Sequence, residues 1–295
     1  MTAPTDDLKQ IDLPAGTIRY RDSGSGEPIV FVHGLLVNGA LWRKVTPLLG
    51  GKHRCIVPDL PLGSHLTPMK AEADLSPPGV ARLISDFLDA LALERVTLVG
   101  NDTGGAICQL VAADHPERLG RLVLTPCDAY ENFLPPAFRP LQYGAHVPGL
   151  ITALVQGARI GAIRRSPLGF GLLIKHRPMD DEALRGYLAP FLADHGVRRD
   201  ALKVLRGISN RQTIEAAERL RHFDRPTLIA WAPEDRFFKL RFAERLASDI
   251  PNARLVRIED SLTFVPEDQP ERLAEAIDEF IGQTSPVPAA AGTGR

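Results

Sequence analysis

The chain has 295 residues, 44% of them hydrophobic and 24% charged, and its 35 basic and 36 acidic side chains leave a formal charge of -1 at pH 7. Such a chain buries one large core, with or without an inserted unit. With no broad basic field, nucleic acid and anionic membrane are not expected as partners. The short clusters Arg164-Arg165 and Lys175-His176-Arg177 read as a solvated face. Cys55, Cys108 and Cys127 lie in or beside apolar patterns without metal-ligand spacing. They are expected to be reduced thiols, with no disulfide framework, metal or cofactor. The polar start lacks a signal-peptide pattern, and no apolar run nears the roughly 20 residues that span a bilayer. A cytoplasmic monomer or homodimer is expected.

Residues 10–13 and 17–21, parted by Pro14-Ala15-Gly16, predict a strand hairpin. The glycines of the next turn, 23–28, open no helix, as a phosphate loop must. Residues 29–32 form an apolar run suited to a strand buried on both faces, ending in His33-Gly34-Leu35-Leu36. A helix over 38–49 and a strand over 54–57 follow, and then a loop that closes on His65. The apolar positions Val80, Leu83, Ile84, Phe87, Leu88 and Leu91 recur at helical spacing within 77–93. Residues 96–110 then read as strand, sharp turn and helix, with Asp102 at the turn between Gly100 and the pair Gly104-Gly105. On this stretch alone Asp102 reads either as a side chain presented by the turn or as the cap of the helix behind it. A strand over 121–124 ends near Asp128. From 129 to 222 the strand pattern gives way to Pro-punctuated short helices. Strands return at 226–231 and 253–257, helices are predicted over 240–249 and 270–281, and the tail lacks the apolar surface to pack. There are no internal repeats. The alternation predicts an α/β fold with a mostly parallel central sheet flanked by helices.

The turn Gly100-Asn101-Asp102-Thr103-Gly104-Gly105 resembles the nucleophile elbow of the α/β-hydrolase fold superfamily, in the branch of haloalkane dehalogenases and epoxide hydrolases that uses aspartate. His33-Gly34, the helical stretch, and Trp231-Ala232-Pro233-Glu234-Asp235 follow the order of that branch. The resemblance implies an α/β-hydrolase core over 1–128 and 223–282, an inserted helical cap over 129–222, and a disordered tail over 283–295. It implies that Asp102 is the nucleophile and Asp235 the orienting acid, with Asp128 as the alternative acid. The backbone amides of Leu35 and Thr103 would form an oxyanion or halide hole, and His33 would lie beneath that loop. A small apolar substrate or ligand would bind under the cap.

Carboxylate attack on an alkyl halide or epoxide gives an ordinary ester, and attack on an ester gives a high-energy anhydride. Saturated carbon is therefore the expected target. The second step in the branch needs a histidine to activate water. Aligning Phe264 and Glu267-Asp268-Gln269-Pro270 with the pattern of the branch puts Thr263 in its place, and the last histidine of the chain is His222. Leu35 and Thr103 replace the two side chains that donate to halide in the dehalogenases. His65 is the first substitute base to consider. Tyr130, Tyr143 and Tyr187 are the tyrosines available as acids toward an epoxide oxygen, as cap tyrosines are in epoxide hydrolases. Two classes of function follow. One is a hydrolase with an altered or slow second step, or a non-hydrolytic descendant that opens, eliminates or cyclises. The other is a catalytically silent binding protein that keeps the capped pocket.

Overall fold

The computed structural model describes residues 8–166, 170–176 and 180–284. The expected hairpin is β1 (Lys9–Leu13) and β2 (Gly16–Ser23), antiparallel with Leu13 opposite Gly16. Next come β3 (Glu27–Val32), α1 (Thr46–Leu49), β4 (His53–Asp59), α2 (Pro77–Ala90), β5 (Val96–Asp102), α3 (Thr103–Asp114) and β6 (Leu119–Cys127). An all-helical insertion holds α4 (Arg139–Gly144), α5 (Leu150–Gly157), α6 (Gly161–Arg165), α7 (Asp181–Ala193), α8 (His195–Gly207) and α9 (Asn210–Leu220). The chain closes with β7 (Thr227–Trp231), α10 (Leu240–Asp249), β8 (Ala253–Arg257), α11 (Val265–Asp268) and α12 (Pro270–Gln283).

All eight strands form one sheet in the order β1-β2-β4-β3-β5-β6-β7-β8. Pairing is antiparallel from β1 through β2 to β4 and parallel from β4 onward. Period-two alternation sends Val30 and Val32 to the core beneath α2, α3 and α10, and Ile29 and Phe31 to the core shared by α1, α12 and part of the insertion. The parallel strands all point their C-terminal ends the same way, so the loops after β3, β5, β6 and β7 converge on one rim, where open α/β sheets bind ligands.

Two expectations are corrected. Residues 38–49 are not one helix. Asn38 caps a 3-10 turn, Gly39–Trp42, by accepting from the Ala40 amide, and α1 is a separate turn led by Pro47. The Gly39 amide is claimed by Asp59 Oδ1 at 2.9 Å, and a Cβ at Gly39 would lie 2.6 Å from Val57, so contact with β4 overrides helical propensity there. α11 lies in a stretch to which the sequence reading assigned no element. The last helix runs past 281 to Gln283, and the next residue, Thr284, is held by the almost fully buried Arg121, which donates to its hydroxyl at 2.8 Å and to Glu27 at 2.9 Å. The remaining tail, 285–295, lies outside the described residues. No described helix is long and apolar enough to cross a membrane.

Candidate active site

Asp102 ends β5 at φ +56° and ψ -136°, a conformation that L residues rarely adopt. Although it stands in the capping position of α3, its carboxylate makes no capping bond. The capping alternative left open by the sequence is thereby removed, and the strain serves to present the side chain. The turn needs its glycines because backbones meet there. A Cβ on Gly104 would lie 2.3 Å from the His33 carbonyl, and one on Gly105 would lie 2.3 Å from Cys127 Cβ.

The His33-Gly34 loop lies directly against the carboxylate. A Cβ on Gly34 would fall 2.0 Å from Asp102 Oδ2 and 2.7 Å from its Cγ. Gly34→Ala is therefore expected to move either the loop or the carboxylate by about 1 Å. Any reaction of Asp102 should slow about 10²-fold, measured as the rate of covalent modification, with the far-UV circular dichroism unchanged. The Leu35 and Thr103 amides both face the Asp102 carboxylate and favour its charged form. His33 is a strut of this loop. Its Nε2 accepts from the Leu60 amide at 2.9 Å and its Nδ1 donates to the Gly34 carbonyl at 2.9 Å, so both nitrogens are engaged. Burial lowers its pKa to about 4 and keeps the ring neutral.

Two further carboxylates flank the turn. Asp235 takes the Phe237 and Phe238 amides on Oδ1, both at 2.7 Å, and the Thr263 hydroxyl on Oδ2, also at 2.7 Å. Asp128 takes the Leu134 amide at 2.8 Å and the Thr103 hydroxyl at 3.3 Å. The structure thus brings together Asp102, Asp128, Asp235, Thr263, Leu35 and Thr103. Among the described residues no Lys, Arg or His forms an ion pair with any of the three carboxylates.

That lack of a cation sets the electrostatics. Asp102 keeps some accessible surface, yet enough protein surrounds it to desolvate its charge, which fits a group lining an internal space. Burial pushes its pKa up to about 7 against the pull of the two amides, and the charge of Asp235 adds to the rise. Burial, and then the charge of Asp102, push Asp128 well above the usual carboxylate range. Burial also raises Asp235 despite its three donors. At Asp102 desolvation outweighs the pull of the two amides.

The other candidates are engaged elsewhere. His65 Nε2 meets Asp200 of α8 at 3.2 Å in a nearly dry contact, and Asp200 also takes the Met69 amide at 2.7 Å. Burial raises the Asp200 pKa, but the bonds from His65, the Met69 amide and Arg199 outweigh it and leave the group lowered. The Tyr130 hydroxyl donates to Asp249 of α10 at 2.9 Å, and Tyr143 is 69% exposed, so neither is held toward Asp102. Tyr187 is buried against Phe170, which in turn packs against Phe264, the neighbour of Thr263. Asn101 was passed over in the sequence. Its Nδ2 donates to the Thr125 hydroxyl, the Pro126 carbonyl and the Thr263 carbonyl at 2.8, 3.2 and 2.8 Å, tying the turn to the loop that bears Thr263. The available signal was a carboxamide at the end of an otherwise apolar strand. Among the described residues no group of three or more potential ligands is arranged to hold a metal ion.

The insertion is fastened on both sides of this rim. A Cβ on Gly63 would meet Leu36, Ala201 of α8 and Phe191 of α7 at 2.9, 3.1 and 3.8 Å. On the other side, the Phe264 amide donates to the Leu173 carbonyl at 2.8 Å, and Asp268 takes the amides of Lys175 and His176.

Comparison with known proteins agrees with the fold. The family model described as alpha/beta hydrolase fold matches residues 27–270. The cis-3-alkyl-4-alkyloxetan-2-one decarboxylase of Shewanella oneidensis is 29% identical over 280 residues, covering 90% of this chain and 86% of that protein. Haloalkane dehalogenase 2 of Mycobacterium tuberculosis is 27% identical over 286 residues, covering 92% and 93%. The crystal structure of an ancestral haloalkane dehalogenase superposes with a TM-score of 0.76 at 25% identity, covering 94% of this chain and 99% of the other.

Proposed function

This chain belongs to the alpha/beta hydrolase fold family, and from that premise we propose that it is a hydrolase of the haloalkane dehalogenase type, whose Asp102 carboxylate attacks a saturated carbon. The substrate is a small apolar molecule held under the helical insertion, which acts as the cap. Attack forms a carbon–oxygen bond to Asp102 and expels a halide or opens a strained ring, leaving an alkyl ester on the enzyme. The observation that carries this reading is a carboxylate on a strained turn, unpaired with any cation, with the Leu35 and Thr103 amides facing it. In this reading those amides stabilise the oxyanion when water adds to the ester carbonyl. Water must lose a proton in that step, and Thr263 offers only a hydroxyl that already donates to Asp235. The ester is therefore expected to be long-lived.

The test is incubation with a panel of small alkyl halides and epoxides, followed by intact mass and peptide mapping. One adduct is expected, on Asp102. Its formation should follow the ionised form, rising about tenfold per pH unit below the Asp102 pKa of about 7 and levelling off above it. A pH-independent rate from pH 5 to 8 would show that Asp102 titrates well below 7, whereas an adduct that persists in Asp102→Asn would show that the carboxylate is not the attacking group. Rapid multiple turnover without an adduct would point to another water-activating group, with His65 the first to substitute.

Thr263 also favours a second, non-hydrolytic reading. A relative is a decarboxylase of oxetan-2-ones. Loss of carbon dioxide from such a ring breaks the bond between the carbonyl carbon and its α-carbon and the bond from ring oxygen to the β-carbon. It leaves an alkene, and neither water nor an oxidant is consumed. Such a reaction has no use for a water-activating histidine. Adding 3,4-dialkyl oxetan-2-ones to the panel and assaying alkene separates the two readings. Tight binding of an apolar ligand with neither adduct nor product would leave a silent binding protein.

A further inference from the structure

The buried stripe of α8 is Val197, Asp200, Ala201, Val204 and Leu205, so a carboxylate stands where helical spacing calls for an apolar side chain. A buried acid persists only where its charge is answered. Asp200 Oδ2 takes the Met69 amide at 2.7 Å and meets His65 Nε2 at 3.2 Å, and Oδ1 takes Arg199 Nε at 2.9 Å. Met69 and His65 belong to the loop between β4 and α2, so these two bonds fasten the insertion to the core. The same loop is bonded on its other side to the segment that carries the Leu35 amide. The Leu60 amide donates to His33 Nε2 at 2.9 Å, the Leu62 carbonyl accepts from the Leu36 amide at 2.9 Å, and the Ser64 carbonyl accepts from Asn38 Nδ2 at 3.4 Å. Every second residue from 60 to 64 thus holds residues 33–38, and the next one, His65, holds the insertion.

The middle rung of this ladder bears on Asp102 most directly. Leu36 sits at φ +56°, in the left-handed region that a bulky L residue adopts only where its neighbours hold it. Its amide makes the bond to Leu62, and the amide one residue earlier, that of Leu35, faces the Asp102 carboxylate. There is no slack between Leu36 and α8. A Cβ on Gly63 would lie 2.9 Å from Leu36 Cδ2 and 3.1 Å from Ala201 Cβ. We propose that Asp200 is a positioning residue: by holding His65 and Met69 it fixes residues 60–65, which in turn fix the Leu35 amide against the Asp102 carboxylate. The pair of amides at Asp102 is then complete only while α8 covers the rim. The catalytic meaning of this coupling rests on the reading of Asp102 as the nucleophile, whereas the coupling itself is a matter of hydrogen bonds.

The test is the titration of Asp102 in the purified full chain, followed by NMR of carboxyl-labelled aspartate and assigned by the signal missing from Asp102→Asn. Asp200→Ala should raise the midpoint by about one pH unit above that of the parent, because a carboxylate that loses an amide donor is harder to ionise. Two other consequences of the substitution have the opposite sign. Loss of a negative charge and entry of water beneath a loosened insertion each lower the midpoint. Asp200→Asn keeps a carbonyl for the Met69 and His65 donors and should titrate no higher than the parent. Lys203→Ala removes a bond from α8 to the Ala73 carbonyl, 2.9 Å long and outside the ladder, and should leave the midpoint in place. Where Asp200→Ala does not fold, Asp200→Ser replaces it with the same expected rise. The proposal is overturned if the midpoint stays or falls in the folded variant, or if Lys203→Ala raises it equally. The rise should also carry the pH profile of adduct formation to higher pH. A raised midpoint in a protein that forms no adduct at all would uphold the coupling and count only against the nucleophile reading.

Discussion

Asp102→Asn is expected to abolish covalent modification by alkyl electrophiles and at the same time to raise the melting temperature of the protein at pH 8. The first effect follows from chemistry, because a carboxamide is neutral and does not displace halide. The second follows from burial. In the folded protein Asp102 titrates near 7, against an ordinary value of 3.8. Between these values the folded state binds more protons than the unfolded one, so stability falls as pH rises through that window. Below about pH 4 both states are protonated and the cost is absent; above about pH 7 it is fully present. At about 1.4 kcal/mol per pH unit this amounts to at most ~4 kcal/mol, part of it shared with Asp128, whose ionisation opposes that of Asp102. A gain on the order of 2–4 kcal/mol corresponds to several degrees in a domain of this size. The advantage of the Asn variant should shrink as pH is lowered and vanish near pH 4. Equal melting temperatures for the two proteins at pH 8 would mean that the site is wetter than the structure indicates.

Thr263→His should have the largest effect on the second step. The Thr263 hydroxyl lies 2.7 Å from Asp235 Oδ2, so an imidazole at this position has an acid already placed to orient one nitrogen. Its other nitrogen would then be available to take a proton from water attacking the Asp102 ester. General-base catalysis of this kind supplies about 10²- to 10⁴-fold. The measurement is the decay of the adduct by intact mass after removal of excess reagent. The new ring also introduces a protonatable partner into a site that holds three carboxylates and no paired cation. The Asp102 pKa should fall as a result, visible as a leftward shift of the pH profile for adduct formation. Adding Asp235→Asn to the same protein should remove most of the gain. If the adduct decays at the parental rate while the variant folds normally, Thr263 does not face the ester.

Much of this site could be read before any coordinates. The three glycines around Asp102 announce a turn in which backbones touch, and their spacing is local, so it survives in one dimension. Thr263 was found only through the resemblance, whose pattern could be laid on Phe264 and Glu267-Asp268-Gln269-Pro270. The strands were placed because apolar runs of the right length seldom have another explanation in a chain of alternating strands and helices. The helix expected over 38–49 failed for the opposite reason. Its fate depends on the contact of Gly39 with Val57 and Asp59, about twenty residues away, and no local pattern reports that.

Sequence by itself determined the order of the strands along the chain, the presence of a carboxylate where a sharp turn displays it, and the absence of any histidine after His222. These are properties of neighbours in the chain, fixed by residue size, backbone freedom and periodicity. Tertiary structure alone decided the protonation of Asp102, the pairing of Asp235 with Thr263 and of Asp128 with Thr103, and the commitment of His65 to Asp200. Each depends on how closely groups from distant segments approach and how much water they exclude. Charge and hydrogen bonding act through space, and only the folded chain brings residues 35, 102, 128, 235 and 263 to one rim.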